Sequence, residues 1–181
     1  MLDGEMSRHT TFKFRLDPTV EQQDVLARPA GASRFAFNQC LAMVKSALTG
    51  YKADPGVVVP WSGFDLINAF NEWKKTEDAG RVFAINTEGD AEVVVTGLSW
   101  RAEVCQQVFE EAAVDCGRAL MAWSTSRSGT RKGRRMGFPK FKKKTGITPS
   151  FRLRNKHRKG CSIGSSPAGA DIAPIATSTL R

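Results

Sequence analysis

A chain of 181 residues, 41% of them hydrophobic, has room for one compact domain, or a domain with a small insertion, around a core of ordinary density. Its formal charge of +9 comes from one segment: residues 127–159 hold fourteen Lys and Arg and no acid, whereas residues 1–126 hold twelve basic and seventeen acidic residues. The charge block points to an anionic partner, and no apolar run reaches the roughly 20 residues of a membrane span. The start, MLDGEMSRHT, lacks the basic end and apolar stretch of a signal peptide, so a cytoplasmic protein with no membrane partner is expected. Cys40, Cys105, Cys116 and Cys161 include no CxxC pair, a pattern that supports neither a secreted disulfide framework nor a zinc ribbon. Cys105 and Cys116 would share a helix face but sit about 16 Å apart, so core-filling thiols are expected.

In chain order, TTFKFRL (residues 10–16) alternates Phe12, Phe14 and Leu16 with Lys13 and Arg15, the period of a half-buried strand with one basic face. Asp17 and Pro18 predict an N-cap and first helical position, with a short helix over about 19–27 that ends before Pro29 and Gly31. A second helix is predicted over 32–48, its apolar stripe formed by Phe37, Leu41, Val44 and Leu48, with Arg34, Asn38 and Lys45 off that stripe. Ser62 is predicted to cap a third helix over 62–75, with Asp65 completing a capping box and Phe64, Ile67, Phe70 and Trp73 inward. Residues 82–97, turning at Glu88-Gly89-Asp90, predict a small hairpin or a structured loop. A fourth helix, capped by Ser99 and ending near Ser124, carries Cys105, Phe109, Ala112, Cys116, Ala119 or Leu120, and Trp123 at heptad-like spacing. The Gly-, Ser- and Arg-rich loop that follows is expected to be mobile by itself. SFRLR (150–154) then repeats the alternation of FKFRL, and the residues beyond Lys159, without periodicity, are expected to be a disordered tail.

The block MGFPKFKKKTGITPSFRLRN (136–155) sets Phe138, Phe141 and Phe151 among cations. Nucleic acid meets both needs, offering phosphates to the cations and base faces to the rings. Alternatively, the rings are core anchors and the cations a solvated face. A basic amphipathic helix on an acidic membrane is disfavoured by Gly133, Gly137, Pro139 and Gly146. The candidate nucleic-acid-binding residues are Arg34, Asn38, Arg131, Lys132, Arg134, Arg135, Phe138, Lys140, Phe141, Lys142, Lys143, Lys144, Arg152, Arg154, Lys156 and Arg158. For Arg34 and Asn38, one turn apart, a helix cap or interhelical hydrogen bond is the favoured alternative. Glu110 and Glu111, like Glu88 and Asp90, read as solvated positions, so no catalytic or metal-binding residue is proposed.

FKFRLDPTVEQQDVL, ASRFAFNQCL, EVCQQVFEEAAVDCGRAL, GFPKFKKK and SFRLR occur in that order, and together they resemble the N-terminal part of OrfB/TnpB-type insertion-sequence proteins, RNA-guided nucleases related to type V CRISPR effectors. The resemblance covers about residues 10–156. It implies an α+β fold: a partial wedge-like β-barrel holding 10–16 and 150–154, split by an inserted helical recognition-type bundle. The corresponding divisions are a disordered 1–9, a first barrel strand in 10–17, the helical insertion in 18–126, a basic nucleic-acid-binding segment with the returning strand in 127–159, and the tail 160–181. The partners it implies are guide RNA and DNA, held mostly through backbone and shape. A helix-turn-helix over about 18–48 also belongs to the resemblance, but Phe35, Ala36 and Phe37 occupy the place where a recognition helix needs a polar start. The family's two-metal carboxylate nuclease and zinc ribbon have no counterpart here: after Asp115 the only acid is Asp171. Mg2+ and Zn2+ are therefore expected only for the full-length family, and this chain is expected to be a truncated member that binds nucleic acid without cutting it. The alternative is a working transposition enzyme, with catalysis supplied by this chain or by another.

Overall fold

The computed structural model describes residues 14–145 and 149–154, and within them the fold is α+β, with three α-helices and one two-stranded antiparallel sheet. Helix α1 spans Val20–Ala53. Its N-cap is Thr19, two residues beyond the expected Asp17, because Thr19 and Gln22 close a reciprocal box: the Gln22 N–H donates to Thr19 Oγ1 and the Thr19 N–H to Gln22 Oε1. Pro29 does not end the helix, which contradicts the predicted break between 27 and 32. A mid-helix proline costs about 3 kcal/mol through a lost hydrogen bond and a clash with the carbonyl four residues back. Burial of Pro29, Ala30, Ala32, Ser33, Ala36 and Phe37 along the same face offsets that penalty.

Helix α2 spans Gly63–Trp73 and starts as expected, with the Asp65 N–H donating to Ser62 Oγ and the Ser62 N–H to Asp65 Oδ2, both at 3.1 Å. Those bonds from Ser62 hold the Asp65 carboxyl below its ordinary value. Its inward residues are Leu66 and Phe70, with Ile67 and Trp73 packed at the margin; Phe64, expected inside, is 71% exposed. The first turn of α2 crosses α3 too closely for a side chain, and the stripe that can bury begins one turn later.

Strands β1 (Arg81–Ile85) and β2 (Ala91–Thr96) form the expected hairpin, with a bulge after Val82. Asn86 Oδ1 accepts from the N–H groups of Glu88 and Asp90 and so builds the turn. Gly97, at φ +92°, brings the returning chain against the end of α2, where a Cβ would stand 2.5 Å from the Lys74 carbonyl oxygen. Ser99 belongs to a single 3-10 turn, Ser99–Ala102, and not to the cap of the next helix: α3 spans Gln106–Arg127 with Cys105 at its N-cap.

Helix α3 packs on both α1 and α2, and Phe109, Val108, Ala112, Cys116 and Leu120 from it meet Leu41, Val44 and Cys40 of α1 and Leu66 and Phe70 of α2. Where α2 begins, a Cβ on Gly117 would lie 2.6 Å from the Gly63 nitrogen, so the two backbones touch. Residues 14–16 and 149–154 take part in no β-ladder among the described residues; Phe14 and Leu16 are exposed, and residues 10–13 lie outside the described part.

Candidate nucleic-acid interface

The basic segment is built from the end of α3 outward. The Ser128 N–H donates to the Ser124 carbonyl, the Arg131 N–H to that of Thr125, and the Met136 N–H to Ser126 Oγ. These bonds fold the loop back on the last turn of α3 and leave Arg131, Lys132, Arg134 and Arg135 exposed. Phe138 then turns inward and meets Trp123 edge-on, with ring centroids 5.0 Å apart. From there the chain lies as a strap across α1.

Asn38 fixes that strap. Its Nδ2 donates to the Lys142 carbonyl at 2.9 Å and its Oδ1 accepts the Lys142 N–H at 2.7 Å, so one side-chain amide replaces the pairing a neighbouring strand would give. The bond Asn38 makes is therefore neither the cap nor the interhelical hydrogen bond favoured for it, but a clamp on a non-helical strap. Lys142 turns its ammonium over the Phe37 ring, 4.0 Å from the centroid. Burial pushes its pKa below the ordinary lysine value, opposed by the charge of Asp115. Phe141 points the other way and is 47% exposed, with Lys45 Nζ 4.1 Å from its centroid. Lys140, Lys143 and Lys144 are exposed beside it.

The returning segment 149–154 behaves differently. Phe151 and Leu153 pack against the core, and the two arginines meet the acids of α3. Arg152 Nη1 lies 2.9 Å from Asp115 Oδ1, and Arg154 Nε lies 2.6 Å from Glu111 Oε1. Glu111, expected in solvent, is only 4% exposed, and its Oε2 has no hydrogen bond, the nearest cation being Arg152 at 4.0 Å. Glu110 is half-buried and faces Gln106. A block without acids in the sequence therefore has carboxylates in space, one helical turn apart on α3.

The sixteen candidates thus separate. Seven cations, Arg131, Lys132, Arg134, Arg135, Lys140, Lys143 and Lys144, are exposed. Lys142, Arg152 and Arg154 are engaged internally, Phe138 is an anchor and Phe141 an exposed ring. Arg34 is half-buried on α1, and Lys156 and Arg158 lie outside the described residues. Three contributors were missed. Lys45 shares the off-stripe face of α1 with Arg34 and Asn38, a spacing visible in the sequence. Trp123 and Arg127, whose guanidinium carbon lies 5.7 Å from the Trp123 ring, are one turn apart on α3. Among the described residues no group of three His, Cys, Asp or Glu is placed to hold a metal ion, and no helix is long and apolar enough to cross a membrane.

Residues 6–52 match the family HTH_OrfB_IS605, described as a helix-turn-helix domain. Over the described part of that span, from Val20 onward, the chain is one continuous helix. Two Mycobacterium tuberculosis proteins, named "Putative RNA-guided DNA endonuclease MT2953" (strain CDC 1551 / Oshkosh) and "Putative RNA-guided DNA endonuclease Rv2885c" (strain ATCC 25618 / H37Rv), are each 29% identical over 133 residues. The match takes in 74% of this chain and 26% of either relative, so the chain spans about a quarter of the length of the curated relatives it matches. The domain match identifies residues 6–52 with the OrfB/IS605 helix-turn-helix family, within a chain that is similar over 133 residues to these two proteins.

Proposed function

We propose that the chain binds nucleic acid, guide RNA or transposon DNA, through the exposed cations of residues 131–144. The observation that carries this reading is the sorting of the basic block: where acids are within reach they take up Arg152 and Arg154, while seven neighbouring cations are left at the surface, four on the loop folded against the end of α3 and three on the strap pinned to α1. The domain match and the relatives' names support the same partner class. Contacts are to the phosphate backbone, so binding is strongly salt-dependent and only weakly sequence-specific. The strands of a wedge-like barrel around 10–16 and 150–154 belong to this proposal, with the helical bundle as its insertion.

The test is a gel shift of the purified chain against structured RNA and duplex DNA between 50 and 200 mM salt. Six to ten phosphate contacts give a fall of roughly 10³–10⁵-fold over that range. Reversing Lys140, Lys143 and Lys144 to Glu lowers the slope of log affinity against log salt by about two to three. Affinity indifferent to salt, or untouched by the reversals, refutes the proposal. The relatives' names attach DNA cleavage to proteins about four times as long as the matched span. Incubation with labelled DNA, guide RNA and Mg2+ tests whether any of that activity belongs to this chain: the binding proposal expects a shifted but uncut substrate, and cutting would favour the transposition enzyme.

A further inference from the structure

The geometry points to Phe141 as a stacking platform for one unpaired base of a single-stranded nucleic-acid segment whose flanking phosphates meet Lys140, Lys143 and Lys144; this rests on the binding reading above and names the form of nucleic acid that the surface takes. The three rings of the basic block have separate fates. Phe138 and Phe151 pack against the core, and Phe141 alone stays 47% open to solvent. A lone exposed ring means nothing by itself. This one differs in how it is held. Its backbone neighbour Lys142 is clamped through both N–H and carbonyl by Asn38, and three residues earlier Phe138 is wedged against Trp123. The ring cannot drop into the core without breaking those anchors, and it is ordered before any ligand arrives, which reduces the entropy lost on binding.

The surroundings suit a base. Lys45 Nζ lies over one face of the ring at 4.1 Å, leaving the open part of the ring beside a fixed positive charge. Exposed Lys140 directly before it, and exposed Lys143 and Lys144 two and three residues after it, flank the ring along the strap, which matches a phosphate backbone running past a stacked base. Paired bases present only groove edges and cannot cover a ring face, so the site selects loops, bulges and single strands.

The experiment measures binding of the full chain, by fluorescence anisotropy, to a 12-nucleotide single-stranded RNA, to the same backbone with abasic positions, and to duplex DNA. The wild type is expected to prefer the base-bearing strand over the abasic one by about 5- to 150-fold, the range that one lost stack commands. Phe141→Leu, which keeps apolar bulk and so leaves the fold intact, removes that preference while affinity for the abasic strand and its salt dependence stay unchanged. Phe141→Trp restores the preference. Equal preference in Phe141→Leu and wild type, or none in the wild type, overturns the stacking site while leaving the salt-dependent binding in place. Binding of none of the three probes overturns both.

Discussion

Replacing Asn38 by alanine removes the clamp and nothing else of comparable size. The side chain makes two hydrogen bonds, at 2.9 and 2.7 Å, to a part-buried backbone segment 104 positions away. Each contributes about 1 kcal/mol net, and the Lys142 N–H and carbonyl regain water only in part once the strap lifts. The expected loss is therefore about 2 kcal/mol, which multiplies the open population of the strap roughly thirtyfold. Hydrogen exchange of the Lys142 amide reads this directly: its protection should fall by about that factor, while amides in the middle of α3 change less. If the strap opens only with the whole fold, the same loss shows as a melting temperature lowered by roughly 4–8 °C. Asn38→Ala with unchanged Lys142 exchange and an unchanged melting temperature would refute the clamp, and with it the pre-ordering of Phe141.

Arg154→Ala should destabilise the chain by about 2–4 kcal/mol, since it leaves the Glu111 carboxylate buried without its nearest cation; Glu111→Gln in the same chain should recover part of that loss, measured by urea denaturation. Gly117→Ala should cost about 1–3 kcal/mol by overpacking against Gly63, whereas Gly31→Ala, whose Cβ would meet only Arg34 Nη2 at 4.0 Å, should gain up to about 1 kcal/mol in helix propensity; thermal melts giving both the same sign would contradict the packing at the start of α2. Burial holds the Cys116 thiol up at about 12 and raises that of Cys40 as well. Because both folded values lie above the ordinary thiol value of 9.0, their stabilising effect is complete below pH 9 and is lost as pH rises from 9 toward 12. Peptide mapping after alkylation at pH 8.5 should find both thiols unmodified until denaturant is added, and Cys116→Ala should flatten the alkaline loss of stability.

What could be read from the sequence was local. The Ser62 box needs only residues three apart, the hairpin turn only Asn86 to Asp90, and the stripe of α3 only its own spacing, and all three stand in the structure. Pro29 misled because its penalty is local while its compensation is tertiary, supplied by a buried face that periodicity alone does not weigh against a proline. Phe64 misled because which face of α2 is buried is set by the approach of another helix, α3, whose backbone at Gly117 touches that of Gly63. The basic block stood out in the sequence by charge alone, and the structure supplies the division within it: Arg152 and Arg154 find Asp115 and Glu111 only after the chain has returned across α3. Pairing between segments some 40 residues apart leaves no trace in charge counts. Conversely, the Arg34, Asn38 and Lys45 face was visible as polar residues off an apolar stripe, and two of the three support the strap.

Because Pro29 leaves α1 uninterrupted, its 34 residues form a rod of about 51 Å. The strap meets this rod at Asn38 and Lys45, past its middle, so about five turns lie before the crossing and about two beyond it. A duplex of about fifteen base pairs has the same length. Anything seated on the strap and running along the rod would lie against one unbroken helix of that length.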